Sequence, residues 1–219
     1  MYLKDGEFEE IQSEQSFIHV ECKDGKISLS SAKGLQKKKQ FTVYDYLNML
    51  TTQKEKWLEL YNFWRTEFET KPAGQKQHHY YSGGLEVHTA QVINLALTFK
   101  DLRKDLLCFV SDDDCIIGGF IHDLSKVKMY RYLLEEEKKA FDGQEFKYDN
   151  QLGVLDPEVW TIHQLMKFNI ALTENQLNAL MYAEGGFSTW TKQKNQPKWS
   201  HLGVLISCAD VYSAMIINK

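Results

Sequence analysis

The chain has 219 residues, of which 43% are hydrophobic, 13% aromatic and 26% charged, a composition typical of one folded domain large enough to bury its own core. The 26 lysines and arginines against 30 aspartates and glutamates give a formal net charge of −4, which excludes a general electrostatic attraction to nucleic acid or anionic lipid. No apolar run approaches the roughly 18 residues of a membrane span, and the four cysteines form no CxxC pair. We therefore expect a cytoplasmic protein without a membrane partner.

The first forty residues predict a β-hairpin that is distinct from the rest of the chain. β-forming residues at 17–22 and 27–30 flank a turn whose Asp24-Gly25 pair is the strongest short hairpin signal. A polar, lysine-rich stretch at 33–40 then precedes the first helical pattern. The sequence is therefore divided into an N-terminal hairpin extension, residues 1–40, and a helical domain, residues 41–219.

From residue 41 onwards the hydrophobic pattern is helical almost throughout. Apolar residues at helical spacing predict one amphipathic helix over about 43–69. Residues 129–134 and 144–148, on either side of a charged turn, predict a second small hairpin. Further helices are expected at about 85–99, at 115–127, from Pro157, from Thr173 to about 183, and at 201–218. The predicted fold is mostly α, a helical bundle with one or two small β-hairpins.

Three of these helices carry metal-ligand side chains among their apolar positions. His88 lies three residues after Leu85 and shares its core-facing stripe. His122 and Asp123 interrupt a second apolar run, and Asp210 interrupts a third. An unpaired buried charge costs several kcal/mol, so each of these acids needs a cation beside it.

His122 and Asp123 are adjacent, which limits how they meet at one point. Neighbouring residues on an α-helix differ in direction by about 100°, so the two side chains converge only on something that lies between them. Gly118 and Gly119, one turn earlier, are expected to keep that side clear. Two imidazoles and two carboxylates form a mixed nitrogen and oxygen set that suits Mn, Fe, Co, Ni or Zn. The sequence therefore predicts a transition-metal site that activates water for phosphoester hydrolysis.

These residues resemble the signature of the HD-domain metal-dependent phosphohydrolases. His88, then His122-Asp123, then Asp210 match the family's H…HD…D pattern. The run HHYYSGGLEVHT at 78–89 is similar to the H-x-Y-x-G-G-L-x-x-H-T lead-in of one branch, found in HD-domain 3′–5′ exoribonucleases and in phage and plasmid HD proteins. The run HDLSK at 122–126 resembles the motif H-D-[IL]-G-K, with Ser125 in place of glycine. The resemblance covers residues 41–219 and implies a bundle of at least five core helices around the metal.

The resemblance also implies roles for individual side chains. It implies that one or two Mn, Co, Fe, Ni or Zn ions bind to His88, His122, Asp123 and Asp210. Asp123, Lys126 and Glu184 form the implied catalytic set, in which Lys126 holds a substrate phosphate and Glu184 acts as base or ligand. Many relatives carry a histidine at the position of Glu184, and some nucleotidases a glutamate at that of Lys126, so the proton donor stays unassigned. The alternative for Lys126 is an exposed lysine at a helix end, and the alternative for Glu184 is an exposed acid before the glycines that stop a helix.

Two loops are expected to bind the substrate. His78, His79 and Tyr81 come directly before the helix of His88 and are expected at the rim of the site, although loop histidines often have no such role. The loop at 185–200 combines three lysines with aromatic residues that include Trp190, which suits phosphate contact and base stacking. The alternative is that its tryptophans pack against the domain. The expected substrate-binding side chains are His78, His79, Tyr81, Lys126 and Trp190.

The sequence predicts a phosphohydrolase that attacks a nucleotide phosphoester with metal-activated water. The charge of −4 favours a small nucleotide over a polymer. The alternative is a 3′–5′ exonuclease on single-stranded RNA or DNA, which the lead-in motif and the lysine-rich loop favour. A further alternative is a catalytically silent HD protein that binds a ligand or serves as a scaffold. The sequence is compatible with a homo-oligomer, and a short HD protein with an added hairpin is typical of a phage or bacterium.

Overall fold

The chain divides into two compact units between Gln40 and Phe41. The computed structural model describes residues 18–23, 26–31, 41–74, 78–141, 144–149, 151–182 and 199–217. In the N-terminal unit, β1 (Ile18–Lys23) pairs antiparallel with β2 (Lys26–Ser31), in a register that aligns Ile18 with Ser31. This is the hairpin that the Asp-Gly pair predicts.

The C-terminal unit is built mainly of α-helices, which confirms the predicted fold class. Its helices are α1 (Val43–Leu47), α2 (Lys54–Thr70), α3 (Gly84–Leu102), α4 (Lys104–Leu107), α5 (Asp112–Ile121), α6 (Glu135–Lys138), α7 (Pro157–Lys167), α8 (Glu174–Tyr182) and α9 (His201–Tyr212). Short 3-10 helices follow α5 at Leu124–Lys128 and α6 at Lys139–Phe141, and a π-helical segment, Ser213–Ile217, follows α9. Within the described ranges, no helix combines the length and the apolar content that crossing a bilayer requires.

A second small hairpin lies where the sequence predicts it. β3 (Tyr130–Tyr132) pairs antiparallel with β4 (Phe146–Tyr148), and the register aligns Tyr130 with Tyr148. The hairpin packs on the segment that precedes α3, because Lys71 Nζ donates to the Tyr130 carbonyl at 2.8 Å and the Tyr80 hydroxyl donates to the Phe146 carbonyl at 2.5 Å. The hairpin therefore supports the loop that leads into α3.

The helix expected over 43–69 is two helices, α1 and α2, separated by an irregular segment. Gln53 has the left-handed φ of 51° that turns the chain into α2. The buried carboxylate of Asp113, in the first turn of α5, accepts hydrogen bonds from the backbone amides and hydroxyls of Thr51 and Thr52 at 2.8–3.1 Å. A contact between residues so distant in sequence leaves no periodic signal, so helical spacing alone extends the helix across the break.

Replacing Asp113 with alanine is expected to lower the free energy of unfolding by about 2–3 kcal/mol, because several hydrogen bonds to one charged group are lost. Urea denaturation measures this change. Asp101→Ala removes an exposed carboxylate that pairs with Lys104 and is expected to cost less than about 1 kcal/mol. Equal losses for the two variants would show that Asp113 does not anchor the break.

The same contact makes stability depend on pH in one direction. Burial alone would raise the pKa of Asp113, but the hydrogen bonds from Thr51 and Thr52 hold that pKa below its usual value. The carboxylate therefore contributes fully above its unfolded pKa of about 4, and this contribution is lost as the pH falls through the lower folded value.

The core of the second unit is rich in aromatic side chains. Phe120 of α5 lies among three rings of α2, with ring centroids 5.5–6.4 Å from those of Trp57, Tyr61 and Phe68. All four side chains are buried. Their packing ties α5 to α2 and thereby positions the segment that follows α5.

Gly118 and Gly119 have a different role from the expected one. A Cβ at Gly119 would lie 2.7 Å from Ile93 Cγ1 of α3, and a Cβ at Gly118 would lie 2.9 Å from Ile206 Cγ1 of α9. The two glycines therefore let α3 and α9 approach α5 closely, instead of clearing the space between His122 and Asp123. This close packing brings together the three elements that carry the candidate site.

Candidate metal centre

The end of α5 explains how adjacent residues reach the same point. The expectation of one helix over 115–127 is wrong, because α5 ends at Ile121 and a 3-10 helix begins at Leu124. His122 caps α5, whereas Asp123 has φ −118° and ψ 12°, outside helical geometry. His122 Nε2 and Asp123 Oδ2 consequently lie 3.3 Å apart. The break in the helix therefore lets two adjacent side chains point towards the same site, which a continuous α-helix would prevent.

Four side chains from three parts of the fold converge here. His88 Nε2 of α3 lies 3.0 Å from Asp210 Oδ1 of α9, 3.3 Å from Asp123 Oδ2 and 3.4 Å from His122 Nε2. His122 Nε2 lies 3.9 Å from Asp210 Oδ1. His88, His122 and Asp123 are buried and Asp210 is partly exposed, so the cluster faces solvent from one side.

Hydrogen bonds outside the cluster fix the tautomer of both histidines. His122 Nδ1 donates to the Gly119 carbonyl at 2.6 Å, because a carbonyl oxygen accepts only. Ser213 Oγ donates its proton to Gln91 Oε1 at 2.9 Å and therefore accepts from His88 Nδ1 at 3.0 Å. In their neutral form both imidazoles thus turn an unprotonated Nε2 towards the two carboxylates, which is the arrangement that metal-binding histidines adopt.

The donor set fits a divalent metal ion. Two nitrogen lone pairs face two carboxylates, so a cation is required between them. Ligand atoms at about 2.0–2.2 Å from one ion lie about 3.0–3.5 Å from each other in tetrahedral or octahedral geometry. Most of the distances in the cluster fall in this range. His88, His122 and Asp123 can therefore hold a metal ion together, and Asp210 is placed to join them.

The electrostatics of the buried groups point the same way. Burial opposes the charged form of His122, yet the carboxylates of Asp123 and Asp210 raise its pKa. Burial also opposes the carboxylate of Asp123, yet Lys126 and the neighbouring imidazoles hold its pKa well below the usual range. Protons and a lysine thus supply the positive charge that the carboxylates require. A metal ion at this point competes with a proton for His122.

Lys126 lies beside the cluster and contacts one of its carboxylates. Its Nζ donates to Asp123 Oδ2 at 2.6 Å, the oxygen that also faces both imidazoles. Burial lowers the pKa of an ammonium group, but Asp123 outweighs it and the pKa of Lys126 is raised. Lys126 is therefore a permanent cation beside the centre. Its expected role at a substrate phosphate stays a prediction.

The lead-in histidines lie beside the cluster, but one of them is not at a rim. His79 is only 2% exposed, its Nε2 contacts Gln91 Oε1 at 3.0 Å, and burial lowers its pKa to about 3. His78 and His79 each bring a nitrogen into a second group with His88. Tyr81 is exposed, with its ring centroid 6.1 Å from that of His79. Of these three side chains, Tyr81 is the one that solvent reaches most.

The two glycines of the lead-in motif allow a tight turn before α3. Gly83 has φ 81°, a left-handed conformation that glycine adopts without strain. A Cβ at Gly84 would overlap the carbonyl oxygen of His79. His79 itself has φ 47°, so the chain makes a tight turn here that brings His79 against the first turn of α3. The motif therefore positions His79 next to His88.

Sequence reasoning missed Gln91 and Ser213, which orient the ligand-type histidines. Gln91 lies three residues after His88 on α3 and Ser213 three residues after Asp210, so helical spacing from the expected ligands is the signal that would have found them. Glu184 and Trp190, with most of the 185–200 loop, lie outside the described residues. Their expected roles stay predictions.

Two curated proteins match parts of the chain. A dihydroneopterin 2′,3′-cyclic phosphate phosphodiesterase from Methanocaldococcus jannaschii is 36% identical over 70 residues, which are 32% of this chain and 27% of that protein. The 3′-5′ exoribonuclease YhaM from Bacillus licheniformis is 41% identical over 63 residues, which are 28% of this chain and 18% of that protein. The chain thus matches less than a third of the length of either relative. No protein-family model and no solved structure matches it.

Proposed function

We propose that this chain is an HD-domain protein of the metal-dependent phosphohydrolase type and that it hydrolyses a phosphoester bond of a nucleotide. The observation that carries the proposal is the convergence of two imidazole nitrogens and two carboxylate oxygens on one point between helices. The two relatives support it, because one is a cyclic phosphate phosphodiesterase and the other a 3′-5′ exoribonuclease, and both names describe cleavage of a phosphodiester bond. The activity is assigned to residues 41–219.

In this proposal the side chains divide the work. His88, His122, Asp123 and Asp210 hold a divalent transition metal of the Mn, Fe, Co, Ni or Zn class. Such an ion, when bound, supplies Lewis acidity towards water and a phosphoryl oxygen. Lys126 contacts a non-bridging phosphate oxygen as a point charge, which orients the ester beside the cluster. His78 and Tyr81 contact the substrate from the segment before α3.

The direct test combines metal analysis with a substrate screen. The purified full chain is expected to contain a transition metal and to release phosphate, or to open the ring of a 2′,3′-cyclic phosphate, when nucleotides are supplied with Mn²⁺. A chain that binds metal but turns over no mononucleotide, cyclic nucleotide or oligonucleotide would instead be the silent HD protein, and the proposal would be wrong.

Lys126→Met is expected to raise KM for a nucleotide about ten- to hundredfold while the metal content is unchanged, because a hydrogen bond to a charged group contributes about 1.5–3 kcal/mol. Steady-state kinetics measures the change. Lys138→Met is the matched control, since Lys138 also pairs with an acid three residues earlier, Glu135, but on an exposed helix. An unchanged KM in Lys126→Met would show that Lys126 pairs with Asp123 but does not contact the substrate.

Removal of the metal is expected to lower the melting temperature. At a free metal concentration of about 100 Kd, binding to the native state contributes about 2.7 kcal/mol, which for a domain of this size shifts Tm by about 5–10 °C. Scanning fluorimetry with EDTA and then with excess Mn²⁺ measures the shift. The same additions to Asp123→Asn are expected to leave its Tm unchanged, and equal shifts in both proteins would locate the bound metal elsewhere.

The second candidate is a 3′–5′ exonuclease on single-stranded nucleic acid. It is favoured by the lead-in motif and by the relative that is a 3′-5′ exoribonuclease. Salt separates the two candidates, because binding of a polymer releases many condensed counterions and that release becomes less favourable as the salt concentration rises, whereas binding of a mononucleotide changes much less. Loss of activity on an oligonucleotide between 50 and 200 mM salt, with little change on a mononucleotide, would favour the exonuclease.

A further inference from the structure

An open pocket of about 500 Å³ lies outside the metal centre, between α2 and α7. Phe63 and Trp64 of α2 and Trp160 of α7 form its walls, together with Phe168. Lys128 lines it from the 3-10 helix that also carries Lys126, and Gln164 and Lys167 line it from α7. A volume of this size accepts a drug-sized or nucleotide-sized ligand.

The aromatic walls of the pocket combine two buried indole rings with one exposed phenyl ring. The ring centroids of Trp64 and Trp160 are 5.6 Å apart, and those of Phe63 and Phe168 are also 5.6 Å apart. Trp64 and Trp160 are mostly buried, whereas Phe63 is 63% exposed. A rigid aromatic floor beside an exposed phenyl ring is suited to a flat, unsaturated ligand, because such a ligand stacks on either face.

The pocket wall is not purely apolar. Gln164 lines it from α7, and its side-chain amide makes no hydrogen bond to another of the described residues. An amide offers a donor and an acceptor side by side, which is the pattern that reads the edge of a nucleobase. The wall therefore suits a ligand with a polar edge better than a purely apolar one.

The charge of the pocket is positive. Lys128 Nζ lies 5.1 Å from the centre of the Trp64 ring, and Lys167, which also lines the pocket, is exposed. No acidic side chain is among the described residues that line the pocket. An acidic peptide would pair with the two lysines but would not stack on the aromatic rings. A ligand with an aromatic ring and a phosphate can contact both the lysines and the aromatic rings.

We propose that this pocket binds a nucleotide, with its base against the aromatic walls and Gln164 and its phosphate at Lys128 and Lys167. The nucleotide is either a free molecule or one unit of a single strand. Lys128, which lines the pocket, and Lys126, which contacts Asp123, belong to the same 3-10 helix, Leu124–Lys128. The inference does not rest on hydrolysis, because binding is measurable without turnover.

The test measures binding of adenosine 5′-monophosphate and of a labelled ten-nucleotide oligoadenylate to the full chain in EDTA, by calorimetry and fluorescence anisotropy. The nucleotide is expected to bind at least about tenfold more tightly than inorganic phosphate, because base stacking contributes about 1–3 kcal/mol. The double variant Lys128→Gln/Lys167→Gln is expected to weaken nucleotide binding at least about fivefold. Lys104→Gln/Lys139→Gln, which changes two exposed lysines outside the pocket, is the control and is expected to bind like the wild type.

Oligoadenylate binding more than about tenfold tighter than that of the mononucleotide would identify the ligand as a unit of a strand, and similar affinities would identify a free nucleotide. Three outcomes would overturn the proposal: no binding of either probe at 1 mM, equal affinity for inorganic phosphate, or unchanged affinity in the pocket variant. Each of these is independent of the substrate screen at the metal centre, so failure here and failure of the hydrolytic function are distinguishable.

Discussion

Replacing Asp123 with asparagine is expected to abolish metal binding and phosphoester hydrolysis together, with a loss in kcat/KM of about a thousandfold or more. Asp123 Oδ2 is the atom that both imidazoles and Lys126 face, at 3.3, 3.3 and 2.6 Å. An amide keeps the shape of the side chain but supplies no charge, so it cannot neutralise a divalent ion. Elemental analysis of the purified variant and steady-state kinetics measure the two losses.

Asp112→Asn is the matched control, because Asp112 is the first residue of α5, the helix that ends just before His122 and Asp123, and forms an ion pair with Lys100 away from the centre. It is expected to keep its metal and its turnover. Full activity of the Asp123 variant would remove Asp123 from the centre and with it the proposed mechanism. Retained metal with lost turnover would restrict Asp123 to catalysis and leave the remaining three side chains as ligands.

Gly84→Ala is expected to destabilise the fold by about 1–3 kcal/mol and to weaken metal binding as well. Its methyl group would overlap the backbone carbonyl of His79, and backbone moves aside only with the whole loop. Movement of that loop displaces His79 from Gln91, which in turn holds the hydroxyl that orients His88. Urea denaturation and metal titration by calorimetry measure both effects.

Gly153→Ala separates steric overlap from backbone strain. Gly153 has φ 72°, but a Cβ there would meet nothing within 4 Å. The variant is therefore expected to cost about 1–2 kcal/mol from the left-handed conformation alone and to bind metal like the wild type. If both variants lost stability equally and both kept full metal affinity, the lead-in glycines would not position the centre.

The parts of the fold that hydrophobic spacing controls were predictable. His88 and Asp210 stand among apolar residues at helical spacing, and burial of those residues turns both side chains inwards from α3 and α9. The two hairpins were also predictable, because turn chemistry and β-forming residues act over a few neighbouring positions. These signals are local, and the sequence contains them in full.

The parts that depend on distant contacts were not predictable. The break before α2 depends on Asp113, 62 residues after Thr51, and the end of α5 at Ile121 has no proline or glycine beyond it to mark it. The apolar residues keep helical spacing through both places, because this spacing shows which face is apolar and not whether the helix is unbroken. The burial of His79 likewise depends on its close contact with Gly84. The composition of this segment predicts only an exposed loop.

The wide separation of the cluster along the chain affects how the protein unfolds. His88 and Ser213 are 125 residues apart, and Asp210 lies in α9, so the donor set is complete only after α9 has docked against α3. A metal held there would cross-link elements that are far apart in sequence, and we expect this cross-link to form late in folding. Interactions absent from the folding transition state slow unfolding and leave the folding rate almost unchanged. Metal loading should therefore lengthen the lifetime of the native state far more than it speeds its formation.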